Sequence, residues 1–163
     1  AMLMALAMPG RVRSLSLLAP AGLGHGIDHD FLLRFPELDS PEDAQALLQR
    51  LVTKPQLINR FTIGRVLEQL QRPGARNALR RIAAGVIVHE DVLGEAAGQI
   101  AQAGIPRLVI FGGADAINPP DPMSLVSFAG RTLVIPEAGH LPHVEAARQA
   151  NTALTEFLAG IGG

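Results

Sequence analysis

The chain of 163 residues sets 14 lysines and arginines against 15 aspartates and glutamates, so it carries no basic field and no nucleic-acid partner is expected. Its 48% apolar content and mean hydropathy of +0.25 exceed what a bundle with one wet face needs and favour strands buried on both faces, an α/β architecture. Cysteine is absent, which excludes disulfides and thiolate zinc sites and makes a reducing cytoplasm the expected compartment.

The opening Ala1–Met8 has no basic residue before it and is too short to span a bilayer, so neither a signal peptide nor a membrane anchor is expected. It reads as a tightly packed helix with Met2, Met4 and Met8 as core filling, stopped by Pro9-Gly10. Because the chain begins inside an apolar segment, Ala1 is taken as a truncation point. Val12–Ala19 alternates, then runs apolar, then stops at Pro20-Ala21-Gly22, the pattern of a strand in a parallel sheet.

From Leu23 to Asp91 apolar residues fall at helical spacing and no β-branched run of strand length occurs, so residues 23–91 are expected to form a helical cap inserted into a core made of 1–22 and 92–163. Ser40-Pro41-Glu42-Asp43 is a strong helix start, with a capping hydroxyl, a proline in the first turn and acids at the positive dipole end. A second cap helix is expected from Thr53–Gln56 to Leu70, burying Ile58, Phe61, Val66, Leu67 and Leu70 before Arg72-Pro73-Gly74. A third runs from Ala75 to Val86 with Arg76, Arg80 and Arg81 facing water. Then helix and short apolar strand alternate: Leu93–Ala103 helical, Leu108–Phe111 strand, Pro122–Phe128 helical, Leu133–Ile135 strand, and Val144–Leu158 a closing helix. That alternation is the signature of a parallel sheet covered on both sides.

In such a sheet the functional positions lie just past the carboxyl ends of the strands. Phe111 leads into Gly112-Gly113-Ala114-Asp115-Ala116-Ile117-Asn118-Pro119, and Ile135 into Pro136-Glu137-Ala138-Gly139-His140-Leu141-Pro142-His143. An acid and a histidine at neighbouring strand ends can form the lower part of a catalytic triad. Asp115 would accept the Nδ1 proton and fix the tautomer of His140, and His140 would take a proton from a nucleophile through Nε2. In the α/β-hydrolase order of nucleophile, acid and histidine, which these two loops resemble, a G-x-S-x-G elbow precedes the acid, and no such pentapeptide occurs here. The nucleophile and the oxyanion-hole donors are therefore expected upstream of Ala1, and residues 1–163 alone are expected to be inactive.

Pro9–Gly24, the G-x-x-D-x-I-x-P of Gly112–Pro119, and Glu137-Ala138-Gly139-His140 resemble the α/β-hydrolases. Within them the likeness is to the hydrolase-type domain attached to the acyltransferase component of acetoin dehydrogenase complexes, long helical cap included. The resemblance implies the C-terminal half of an α/β-hydrolase sheet and serine-nucleophile hydrolysis of an ester, thioester or similar acyl substrate through an acyl-enzyme, with no cofactor. It also implies a dehydrogenase complex as partner, reached through a lipoyl domain absent from this chain. Two features depart from the pattern. Gly113-Ala114 stands where the family usually has charged residues before the acid, and the D-H-R-x-x-D-G motif of dihydrolipoyl transferases is missing. Leu23, Ile27, Ile117 and Leu141 are expected to border an apolar acyl pocket under the cap.

Competing readings attach to other residues. His25, Asp28, His29 and Asp30 could ligate a metal if helical, but Gly24 and Gly26 favour a polar loop at the cap entrance. A metal pair of His140 and His143 lacks a supporting carboxylate and straddles Pro142, so no metal is expected. A noncatalytic or acyl-transfer module of a dehydrogenase complex, and haloalkane dehalogenation from an elbow aspartate, are the alternatives on the same fold.

Overall fold

The computed structural model describes residues 1–161. Three parallel strands, β1 (Leu15–Leu18), β2 (Arg107–Gly112) and β3 (Arg131–Ile135), lie in the order β1-β2-β3. Leu17 is in register with Val109, Ile110 with Leu133, and Gly112 with Ile135. β2 is buried almost throughout because it is central, and its side chains alternate between two cores. Val109 and Phe111 join Leu17, Ala97, Ile100 and Phe128 on one face. Leu108 and Ile110 join Ile135, Ala150 and Phe157 on the other.

The first face is covered by α1 (Met2–Ala7), α6 (Glu90–Gln102) and α7 (Pro122–Phe128), and the second by α9 (Ala147–Ala159). α6 packs on α1; small residues, Ala5, Ala96 and Ala97, allow that approach. Arg107 ties this layer together. Its guanidinium donates to the carbonyls of Ile100, Ala101 and Ile105 around the end of α6 and to those of Phe128 and Ala129 at the end of α7, stacked 5.2 Å from the Phe128 ring. A fixed planar charge at two helix C-termini satisfies carbonyls that the helices leave open.

Between β1 and α6 the described chain carries α2 (His29–Arg34), α3 (Pro41–Leu48), α4 (Arg60–Leu70) and α5 (Ala75–Val88), joined by short 3-10 turns, and no strand. A single antiparallel bridge, Gly24 to Pro120, closes its root. These helices build a separate apolar cluster of Phe31, Leu38, Leu47, Leu48, Ile58, Ile63 and Leu70. Three of the four helix starts have a polar cap: Ser40 accepts from Asp43 N, Asn59 from Thr62 N and Asp28 from Phe31 N, whereas α5 starts behind Gly74 without one.

Several expectations need correction. Only Met2 of the methionine run is buried, while Met4 and Met8 are exposed, because one face of α1 meets the sheet core and the other meets nothing among the described residues. The second cap helix begins at Arg60 behind its Asn59 cap, which turns Phe61 outward, 76% exposed. Arg76 does not simply face water: it donates to the carbonyls of Pro36 and Leu38 and so holds the loop between α2 and α3. The closing helix is two pieces, α8 (Pro142–Glu145) and α9, broken at Ala146, which leaves helical dihedrals at φ −133°.

Candidate active site

Asp115 and His140 meet at the carboxyl edge of the sheet, where β2 and β3 end side by side. The two loops are laced together by Gly113 N to Ile135 O, 2.8 Å, and Ala114 N to Ala138 O, 3.0 Å. This closeness needs glycine. A β-carbon on Gly112 would fall 2.0 Å from the Gly139 carbonyl oxygen, and one on Gly113 would fall 2.9 Å from the Pro136 Cα.

Asp115 is fully committed. Its side chain is 0% exposed; Oδ1 accepts the amides of Ile117 and Asn118 at 2.8 and 2.9 Å, and Oδ2 faces His140 Nδ1 at 2.8 Å. The backbone turn after Asp115 thus wraps its own carboxylate, which cannot rotate without breaking two hydrogen bonds from backbone amides. Both neighbours are anchored in turn: Ile117 plugs into the cap cluster, and Asn118 Nδ2 donates to Pro20 O at the end of β1. With Nδ1 carrying the proton toward Asp115, His140 Nε2 is the basic nitrogen. The His140 side chain is 25% exposed, and no bond from a described residue occupies Nε2. An acceptor nitrogen presented to an open edge, backed by a buried carboxylate, can remove a proton from a hydroxyl placed there.

No serine of the chain is placed to be that hydroxyl. Ser16 lies within β1, Ser14 before it, Ser40 caps α3, Ser124 donates to Asp121 and Ser127 sits on α7.

Sequence reasoning missed Glu145. Its Oε1 accepts Gly139 N at 2.6 Å, and its Oε2 accepts the Thr53 amide and hydroxyl at 2.8 and 2.6 Å and the Lys54 amide at 3.3 Å. It also missed Glu90, which accepts Ile27 N at 2.7 Å and faces His29 Nε2 at 2.9 Å, joining the two ends of the helical insertion. These bonds hold the Glu90 carboxyl below its ordinary value, the His29 contact first and the Ile27 amide second. The proximity of Glu145 to His140 in sequence was a usable local signal, whereas nothing near Glu90 announces a partner some sixty residues away.

Of the four residues expected at the pocket, Ile117 and Leu141 share one cluster, and Leu23 and Ile27 lie in other surroundings. Leu23, 1% exposed, belongs to the sheet core with Leu17 and Phe111, next to the Gly24–Pro120 bridge. Ile117 and Leu141 pack with the cap cluster. Ile27 borders a different hollow of 310 Å³ with His25, Glu90 and Asn118. A larger apolar groove of 660 Å³ between α4 and α5, lined by Phe35, Phe61, Val66 and Leu79, lies away from Asp115 and His140.

The side chains of the His25–Asp30 cluster have ordinary partners. Asp28 caps α2 and takes Arg50, while Asp30 also takes Arg50 at 2.8 Å. His29 thus opens a helix rather than a loop, and His25 stays outside it, 3.8 Å from Asp121. Among the described residues no group of three or more histidine, cysteine or acidic side chains gathers as a metal site would require.

This architecture, three parallel strands with acid and histidine at one edge and a helical insertion, is the α/β-hydrolase fold. The meta-cleavage product hydrolase from Pseudomonas fluorescens IP01 superposes with a TM-score of 0.80 at 18% identity, covering 98% of this chain and 60% of that one. The 2-hydroxy-6-oxo-6-phenylhexa-2,4-dienoate hydrolase from Rhodococcus sp. strain RHA1 gives 0.80 at 15% identity, covering 97% and 59%. In sequence the chain is similar to the dihydrolipoyllysine-residue acetyltransferase component of the acetoin cleaving system of Pseudomonas putida, 33% identical over 150 residues, which bears out the expected resemblance. That match takes in 92% of this chain but 40% of the relative's length. No protein-family model matches. Among the described residues no helix is long and apolar enough to cross a membrane.

Proposed function

We propose that this chain supplies the acid and the base of a serine-type α/β-hydrolase that cleaves an ester, thioester or similar small acyl substrate. The observation that carries the reading is the Asp115–His140 pair: a buried carboxylate saturated by two amides, a 2.8 Å contact to Nδ1, and Nε2 open. His140 removes the proton of a serine hydroxyl as it attacks the acyl carbon, then returns it to the leaving group; water repeats the exchange on the acyl-enzyme. Asp115 keeps the imidazole in the productive tautomer and stabilises the imidazolium. The serine and the oxyanion-hole donors come from residues outside 1–163, at a strand-to-helix elbow. Residues 23–91 act as the cap over a core of 1–22 and 92–163, and Leu141, which follows His140 and keeps partial exposure, borders the acyl group.

A second reading is favoured by the sequence likeness to the Pseudomonas putida acetoin-system component. Here the same fold serves as a noncatalytic or acyl-transfer module of a dehydrogenase complex, carried beside a lipoyl domain. Turnover of p-nitrophenyl acetate by the complete reading frame separates the two. Hydrolysis that collapses in His140→Ala supports the hydrolase; no hydrolysis above His140→Ala supports the module.

A further inference from the structure

We infer that Glu145 is a positioning residue for His140, binding the histidine's loop and the Thr53–Lys54 segment of the helical insertion to one carboxylate so that the base is placed only when that segment is seated. The inference rests on the hydrolase reading of Asp115 and His140.

Glu145 lies at the end of α8, five residues after His140, and its side chain folds back on the loop it has just left. Oε1 takes Gly139 N at 2.6 Å, the amide immediately before the histidine. Oε2 takes Thr53 N, Thr53 Oγ1 and Lys54 N at 2.8, 2.6 and 3.3 Å. Lys54 Nζ returns to the Glu145 carbonyl at 3.3 Å, and the one Thr53 hydroxyl proton is shared between Glu145 Oε2 and Glu137 O, 2.7 Å away and upstream of His140 in the same loop. The loop is therefore gripped on both sides of Ala138-Gly139.

A second, independent feature points to the same coupling. Gly139 has no room for a β-carbon: it would stand 2.9 Å from Leu51 O and 3.2 Å from Val52 Cα. The backbone of the insertion rests directly on the residue before the base. Displacing residues 51–54 would strip Glu145 Oε2 of its Thr53 and Lys54 donors, remove the backbone that rests on Gly139, and free the loop to shift. A shift of about 1 Å in a general base can cost on the order of a hundredfold in rate.

The chemistry demands a carboxylate. Only an anion presents acceptor oxygens to both the Gly139 and the Thr53 donors at once. Glutamine has a single acceptor oxygen and would turn its NH₂ against one of the two donor groups.

The test uses the complete reading frame, with kcat and KM for p-nitrophenyl acetate and the downfield proton resonance of His140 Nδ1–H, assigned by its loss in His140→Ala. Glu145→Gln is expected to lower kcat about tenfold to a hundredfold with KM little changed, and to shift or broaden the resonance. Thr53→Val, which removes one donor and keeps the shape, should move both readouts in the same direction by a smaller amount, about fivefold in kcat. It carries the test alone if Glu145→Gln does not fold. Wild-type kcat with an unmoved resonance, or an effect confined to KM, overturns the inference. If His140→Ala retains full turnover, the hydrolase reading has failed, and the resonance in Glu145→Gln still decides whether Glu145 positions the imidazole.

Discussion

Gly112 and Gly139 approach so closely that a β-carbon on the first would stand 2.0 Å from the carbonyl oxygen of the second. Gly112 ends β2 three residues before Asp115, and Gly139 directly precedes His140. The pair therefore sets how near the acid and the histidine can come, by backbone contact rather than by side-chain packing.

Gly112→Ala should drive the two loops apart. The obstructing atoms are backbone carbonyls and cannot swing aside, so a destabilisation of about 1 to 3 kcal/mol is expected from overpacking, read as a fall in the denaturation midpoint. The Asp115–His140 contact should lengthen in the same variant, and turnover should fall further than stability. A variant as stable and as active as the wild type would show that the loops have slack.

Arg107 yields a prediction confined to stability. Its donors go to the carbonyls of Ile100, Ala101, Ile105, Phe128 and Ala129. Arg107→Lys keeps the charge but cannot span both helix ends, and should cost about 2 to 3 kcal/mol, the range for charged hydrogen bonds left unmade. Urea unfolding of the two proteins measures this, and a difference under about 0.5 kcal/mol would mean solvent replaces the guanidinium.

The pH dependence of the cap root follows from Glu90, whose carboxyl is held below its ordinary 4.5 by the His29 contact and then by the Ile27 amide. A carboxyl lowered in the folded state contributes stability that is fully present above its unfolded value, and loses it as pH falls through the folded value. The junction between Ile27 and α6 should thus hold at neutral pH and loosen only below about 4.5, and Glu90→Gln should flatten that acid limb. Hydrogen exchange of the Ile27 amide between pH 3 and 6, corrected for intrinsic rates, reports it; an acid limb unchanged in Glu90→Gln would place the sensitivity elsewhere.

The parts of this molecule written in local pattern were legible in the sequence. Ser40-Pro41-Glu42-Asp43 names its own helix start, the apolar β2 its own burial, and the glycines before Asp115 and His140 the loops that meet. What was not legible depends on contacts across the chain. Phe61 falls outward because α4 has more apolar residues than its one buried face can take, and Met4 lies on a helix covered on one face by the described residues, with Met8 just past its end. Leu23, expected to help roof an acyl pocket, packs in the sheet core beside the Gly24–Pro120 bridge, a pairing of distant residues that no local pattern announces. Glu145 is an ordinary helical acid until Thr53, ninety-two residues away, is brought beside it.

The most direct measurement is reaction of the complete reading frame with a fluorophosphonate, followed by peptide mapping. If Asp115 and His140 serve a serine nucleophile, one adduct should form on a serine outside residues 1–163, at a rate that falls about 10³-fold or more in His140→Ala. Residues 1–163 alone should take no adduct. An adduct on Ser14, Ser16, Ser40, Ser124 or Ser127, labelling indifferent to His140→Ala, or no labelling of the complete protein would contradict the assignment of His140 as the base of a serine hydrolase.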